Sequence, residues 1–518
     1  MPGPRGFVNR RHRWWIFYSN QFPTERHGKP VMTDSTTPRP NILFIVPEDL
    51  GPQLGCYGDP FARTPRIDAL ARAGVRFTNA SVPYSICSPS RACCLTGLYP
   101  QQNGHLGLAT HKFEYYRPDT PNLVTRLQTG GYRTGIIGKL HVNPESAFPF
   151  DFTSLMHEAN FKREVPMETY VNSARQFWRE SEGQPWFLTV NFPDAHLPFV
   201  RQADGRPARL HDPDDVRLPS WVGVDSPRLR EITADYYNCI ARVDEWTGAL
   251  LDALDAAGLA DNTLICFICD HGPQFARGKG TVYQAALHVP FIMRGPGVTV
   301  GTVRDELVAN VDLAPTVLTA AGLPLDDEFL GRSLQPLLAA APAPDWPQEQ
   351  FAVTTGSFPY NCFISESVRC GRWKLIWTPP QTGPNPIAGS YLHNGTERPF
   401  RVITALQTDE YAALPPAVAA AYARWENPPV YELYDLENDP DEWHDLAGDP
   451  RHAAIRDQLV ARLQNFQRAT RDPFAVAANR EAFIAEQQDY RDGRYQDVPD
   501  FKWAYVERFR CWREHAGI

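Results

Sequence analysis

Five short, nearly all-apolar runs, at 41–46, 134–137, 186–192, 263–268 and 289–293, set the tightest limit on how this 518-residue chain can fold. A strand with one face in water alternates apolar and polar residues. A run without alternation reads as a strand buried on both faces, as in a sheet covered by helices on each side. Helical stretches lie between the runs. Tyr236, Ile240, Val243, Thr247, Leu250, Leu251 and Leu254 recur at three- and four-residue spacing, and Gly258 suits the stop. Strands alternating with helices predict an α/β fold, and the length predicts more than one domain.

The texture changes near residue 340, where an Ala- and Pro-rich stretch at 339–347 reads as a linker. Residues 39–340 are expected to form the large domain. Short strands at 367–369, 373–377 and 430–434 and a helix near 451–467 predict a smaller C-terminal α+β domain over 348–473. Residues 474–518 form an aromatic, charged tail to which the sequence assigns no role. Residues 1–38 read as a disordered arm or a misassigned start, with Met32 as the alternative initiator. The apolar patch at 14–18 is too short for a secretory signal, and no run approaches the ~18 residues of a membrane span. The formal charge of −9 argues against nucleic acid as the main partner. The ten cysteines are scattered rather than spaced as a disulfide framework, so a reducing compartment, the cytoplasm, is expected.

Ligands of open α/β sheets sit beyond the carboxyl ends of the strands. Three polar clusters stand there: Glu48-Asp49, residues 191–196 ending in His196, and Asp270-His271-Gly272. An aspartate after a strand is more often a turn residue or helix cap, so each cluster alone is weak and the coincidence carries the argument. In Cys87-Ser-Pro-Ser-Arg-Ala-Cys-Cys-Leu-Thr-Gly97, Ser88 is expected to cap a helix with Pro89 at its first position. Cys87 would then lie just outside a helix N-terminus, which with Arg91 favours anionic groups. Cys266 and Cys269 form a Cys-x-x-Cys but are expected within a buried strand, facing opposite sides, with no second pair to complete a zinc site. Asn394-Gly-Thr396 matches a glycosylation acceptor and carries little weight without an export signal.

The full run from Cys87 to Gly97 resembles the signature of the formylglycine-dependent sulfatases, in which Cys-x-Pro-Ser-Arg precedes Leu-Thr-Gly and the cysteine is oxidised after translation. The resemblance extends over residues 40 to 470, through 40–49, 134–141, 289–297, 312–318 and 431–447. Gln102-Asn-Gly104, Thr134 to Lys139 with His141-Val142, Pro149 to Phe152, Gly331 to Leu334 and Asp472-Pro473 are similar to the heparan N-sulfatase (sulfamidase) branch.

That resemblance implies an alkaline-phosphatase-like fold, a large mixed sheet sandwiched by helices, and hydrolysis of a sulfate ester or sulfamate. The favoured substrate is a sulfated sugar of the N-sulfoglucosamine type. The alternatives are an arylsulfatase, a choline-sulfatase-like O-sulfatase, or a phosphonate or phosphate-ester hydrolase. It also implies formylglycine at position 87, made by a formylglycine-generating enzyme, whose hydrate attacks sulfur with one hydroxyl and expels sulfate through the other. One divalent metal is implied, calcium with manganese as the alternative, on Glu48, Asp49, Cys87, Asp270 and His271. Arg91, Lys139 and Lys279 would stabilise sulfuryl charge, with Arg277 able to replace Lys279. His141 would bond the formylglycine hydroxyl and His196 would protonate the leaving group. The chain departs from the pattern in carrying Glu48-Asp49 for Asp-Asp and Asp270-His271 for the commoner Asp-Asn. It also departs at 356–362, where the sulfamidase branch has a histidine-rich, acidic stretch that contacts the sugar. No nucleic acid or membrane partner is expected, and a homo-oligomer is left open.

Overall fold

The computed structural model describes residues 39–156, 163–392, 402–495, 498 and 501–515. The expected N-terminal arm and the Asn394 acceptor lie outside them. The apolar runs form strands of one eight-stranded sheet: β1 (Asn41–Val46), β2 (Val75–Ser81), β3 (Arg133–Gly138), β4 (Phe152–Leu155), β5 (Trp186–Asn191), β6 (Thr263–Ile268), β7 (Phe291–Arg294) and β8 (Thr302–Ala309). Their order is β4-β3-β5-β1-β6-β7-β2-β8, and only β7 runs antiparallel to its neighbours. All six residues of β1, β5 and β6 are buried, as non-alternating runs require. Sequence patterning passed over β2 and β8 because each is partly exposed and polar along its length.

Register places the site. Val46 of β1 pairs with Asn191 of β5, Ile45 pairs with Phe267 of β6, and Ile137 of β3 pairs with Val190 of β5. These four parallel strands therefore end in step, so the segments beginning at Pro47, Lys139, Phe192 and Cys269 leave the sheet along one edge. β2 is antiparallel to β7, which is antiparallel to β6, so its carboxyl end delivers the chain toward Cys87 at the same edge.

A second, four-stranded antiparallel sheet follows: β9 (Glu349–Thr354), β10 (Ser365–Cys370), β11 (Trp373–Trp377) and β12 (Tyr431–Asp435), in the order β12-β11-β10-β9. One face packs on the helix Ala453–Thr470 through Val368, Leu375, Leu433, Leu459 and Leu463. The last segment is not a loose tail. It contains the helices Ala477–Arg491 and Ala504–His515, and Phe483, Phe501, Trp503, Tyr505 and Phe509 pack with Tyr84, Ile86, Leu106, Phe113 and Tyr116. Among the described residues, no helix is long and apolar enough to cross a membrane, and all ten cysteines are free.

Candidate active site

The helix bearing Cys87 begins two residues earlier than expected. Cys87 is its first residue, and Ile86, in extended conformation, is the flanking cap. Ser88 does not cap: its hydroxyl accepts a hydrogen bond from the Ala109 N–H at 3.0 Å, which ties the 105–113 loop to the helix start. Ser90 then anchors the helix against β6, its hydroxyl donating to the Asp270 carbonyl while Asn310 Nδ2 donates to it at 3.0 Å. Cys269 also differs from expectation. It lies one residue beyond β6, where its sulfur accepts from the Leu50 N–H at 3.0 Å and approaches the Pro47 carbonyl at 3.2 Å.

Three buried carboxylates and four cationic or imidazole groups converge on Cys87. Its sulfur is 3.4 Å from His271 Nε2, which is 3.3 Å from Asp49 Oδ1. Lys279 Nζ lies 2.8 Å from Asp49 Oδ2, and Lys139 Nζ lies 2.9 Å from Glu48 Oε1. Arg91 joins the turns, with Nη2 at 3.2 Å from both Glu48 Oε1 and Asp270 Oδ2 and Nη1 donating to Asn191 Oδ1 at 2.6 Å. Nη1 also reaches the Lys139 carbonyl at 3.4 Å, so Arg91 ties together the turns that carry Glu48, Lys139, Asn191 and Asp270. Arg277 takes no part. Its guanidinium donates to the carbonyls of Asp441 and Glu442 and stacks on Tyr283 and Trp443, leaving Lys279 as the cation of that loop.

His141 and His196 complete the wall. His141 has a positive φ of 56°, and both its ring nitrogens are buried without a hydrogen-bond partner. A ring nitrogen of His196 lies within 4.8 Å of ligand atoms of Glu48, Asp49 and Cys87, and its Nδ1 is 2.6 Å from the Leu197 carbonyl. Burial, helped by the lysines, holds both imidazoles well below the ordinary histidine range. The stretch 356–361 packs on the 105–113 loop: Leu108 N–H donates to the Ser357 carbonyl at 2.9 Å, and Phe358 stacks on His111 with ring centres 5.2 Å apart.

The electrostatics suit a cation and an anion held side by side. Burial raises the Cys87 thiol, but Lys139 and Lys279 outweigh it and bring it down to about 5. Burial lowers His271, yet Asp270 and Asp49 outweigh it and bring it up to about 9. Glu48 and Asp49 remain above the ordinary carboxylate range because burial exceeds the help of Lys139, Arg91, Lys279 and His271. Ligand atoms of Asp49, Cys87, Asp270 and His271 all lie within 4.8 Å of one another. Buried carboxylates still short of positive charge, with a histidine and a sulfur within the span of one coordination sphere, fit a divalent ion. Such an ion would displace the proton that His271 otherwise binds.

Sequence reasoning missed Asn310, Arg163 and Arg242 at this edge. Both of the arginines bond Asp194, Arg163 also donates to the His196 carbonyl, and no local pattern marks either.

Comparison with known proteins places the chain in a family. The sulfatase family model matches residues 40–323, and the model described as N-sulphoglucosamine sulphohydrolase, C-terminal, matches residues 275–378. The chain is 31% identical over 475 residues to human N-sulphoglucosamine sulphohydrolase, covering 84% of this chain and 91% of that protein. Among solved structures, a protein in complex with its substrate D-glucosamine-2-N,6-O-disulfate superposes with a TM-score of 0.63 at 21% identity, covering 84% of this chain and 99% of that one. The phosphonate monoester hydrolase of Silicibacter pomeroyi shares the fold at a TM-score of 0.60 and 21% identity, covering 84% of this chain and 96% of that one.

Proposed function

The chain belongs to the sulfatase family, whose members hydrolyse sulfate esters or sulfamates, and we propose that it acts on an N-sulfoglucosamine-type sugar with Cys87, once oxidised to formylglycine, as its nucleophile. The observation that carries this reading is the delivery of Cys87, in step with four strand ends, into a cluster of Glu48, Asp49, Asp270, His271, Lys139 and Lys279. Formylglycine at position 87 supplies both a nucleophile and a means of releasing sulfate. A divalent cation, calcium with manganese as the alternative, would be held by Glu48, Asp49, Asp270, His271 and residue 87, and supplies charge that polarises the sulfuryl group.

The protein's own groups do the rest. Lys139 and Lys279 stand at the mouth of the cluster and stabilise charge growing on the sulfuryl oxygens. His141, with two unengaged ring nitrogens, accepts a proton from or donates one to the hydroxyl on residue 87. His196 protonates the departing nitrogen or oxygen. Burial first, and then Lys279 and Lys139, hold His196 below the ordinary histidine range, and a bound sulfuryl anion offsets the lysine part of that shift. The likeness of residues 275–378 to the C-terminal model of the sulfamidases favours the sulfamate.

The test compares N-sulfoglucosamine, an aryl sulfate and a phosphonate ester, using protein whose conversion at position 87 is confirmed by peptide mass and Cys87→Ala as the blank. A dominant rate on the sulfamate is expected. A dominant rate on either ester would overturn the sugar assignment and point to the 356–362 stretch as having redirected the pocket.

A further inference from the structure

Two arginines and one aspartate are buried together behind His196. Arg163, Asp194 and Arg242 are 4%, 1% and 0% exposed. Asp194 Oδ2 accepts from Arg242 Nε at 2.5 Å, and its Oδ1 accepts from Arg242 Nη2 at 3.0 Å and Arg163 Nε at 2.7 Å. Burying three charges is costly, and a hydrophobic trio of equal volume is often no less stable. The remaining bonds show what the charges hold. Arg163 Nη2 donates to the carbonyl of His196 itself. Arg242 donates to the carbonyls of Val200 and Arg206 at 2.9 and 3.2 Å, pinning the loop further along. On the other side, Glu48 N–H donates to the Asp194 carbonyl at 2.8 Å and Ala195 N–H donates back to the Glu48 carbonyl at 2.5 Å.

We propose that Arg163, Asp194 and Arg242 form a positioning unit that sets His196 against the Glu48–Asp49 turn. The two-bond bridge fixes the loop to the turn, the carboxylate fixes both guanidiniums, and Arg163 fixes the carbonyl next to the imidazole. None of the three needs to touch the substrate, so each acts through His196. A shift of about 1 Å in such a loop is enough to lose most of a proton transfer without unfolding the site. The proposal rests on His196 being the leaving-group acid, and its test separates the two.

That test uses Arg163→Met, Arg163→Lys, His196→Ala and the double variant Arg163→Met/His196→Ala. All are measured with residue 87 converted and metal content verified. Turnover is read on 4-nitrophenyl sulfate, whose leaving group needs no proton, and on N-sulfoglucosamine, whose amine does. Arg163→Met is expected to lose about tenfold more on the sulfamate than on the aryl ester, a fraction of the usual worth of a general acid. Arg163→Lys, which retains the charge but not the fork, should lie between it and the parent. The double variant should match His196→Ala alone. Equal losses on both substrates in Arg163→Met, beside a selective loss in His196→Ala, would show the unit to be structural only. No selectivity in His196→Ala would remove the acid role and the proposal with it. If Arg163→Met does not fold, Arg163→Lys carries the same comparison.

Discussion

At the residue scale, Cys87 is set apart from the other cysteines by charge rather than by exposure. Burial alone pushes thiols up, and Cys56, Cys94, Cys239 and Cys362 are all raised to about 12, whereas Lys139 and Lys279 hold Cys87 at about 5. In metal-free protein made without the converting enzyme, iodoacetamide at pH 7 is therefore expected to label Cys87 first. The labelling rate should fall only as pH drops through about 5. Peptide mapping that found Cys56 or Cys94 labelled first, or a rate already falling at pH 8, would contradict this. The carboxylates predict a second effect. Because Glu48 and Asp49 are held above their normal range by burial, saturating calcium or manganese should raise Tm. At a hundredfold excess over Kd the gain is about 2.7 kcal/mol, and Asp49→Asn should remove most of it. A Tm insensitive to both ions would count against a metal in this cluster.

At the element scale, helix ends were the least legible feature. The Ser-Pro pair suggested a cap at Ser88, but in the folded chain the Ala109 N–H bonds that hydroxyl, and the helix starts at Cys87. The helix Pro65–Arg72 shows the same competition. Its first N–H groups are capped from another element, with Asp244 Oδ1 accepting from Arg66 and Ile67 at 2.9 and 2.8 Å. Burial, and secondarily Asp68, raises the Asp244 carboxyl to about 6. A raised acid favours folding at low pH and loses that contribution as pH rises from about 4 through 6. Asp244→Asn retains the accepting oxygen without the charge. It should raise Tm at pH 8, by the equivalent of about 3 kcal/mol at most, and the gain should shrink toward pH 5. A lower Tm for Asp244→Asn at pH 8 would show that the charge itself stabilises the cap.

At the scale of the whole molecule, the C-terminal helices are part of the catalytic body. Trp503 Nε1 donates to the His111 carbonyl at 2.8 Å, and Tyr505 OH donates to the Gly104 carbonyl at 3.0 Å. Their aromatic cluster includes Ile86, the residue before Cys87. Truncation after residue 476 would expose Tyr84, Ile86, Leu106 and Phe113. It is expected to lower Tm by several degrees and activity by more than about tenfold, because the turn that presents residue 87 loses its support. Full activity in the truncated, folded protein would show that the 105–113 loop and Ile86 hold their places without it.

Much of this protein was legible in the chain itself. The non-alternating runs located β1, β3, β5 and β6, since burial on both faces leaves no polar positions, and the residues after them, Glu48-Asp49, Lys139, His196 and Asp270-His271, were visible as site candidates. The Cys87–Gly97 run carried the family. What local pattern could not supply was any relation between elements distant in sequence. Only the parallel register brings those strand ends level, chooses Lys279 over Arg277, seats the last helices on the loop before Cys87, and joins Arg163 and Arg242 through Asp194. Periodicity reports which faces are buried because burial acts on each residue separately. Which charges meet depends on the three-dimensional path of the chain, and that is decided only when the core has packed.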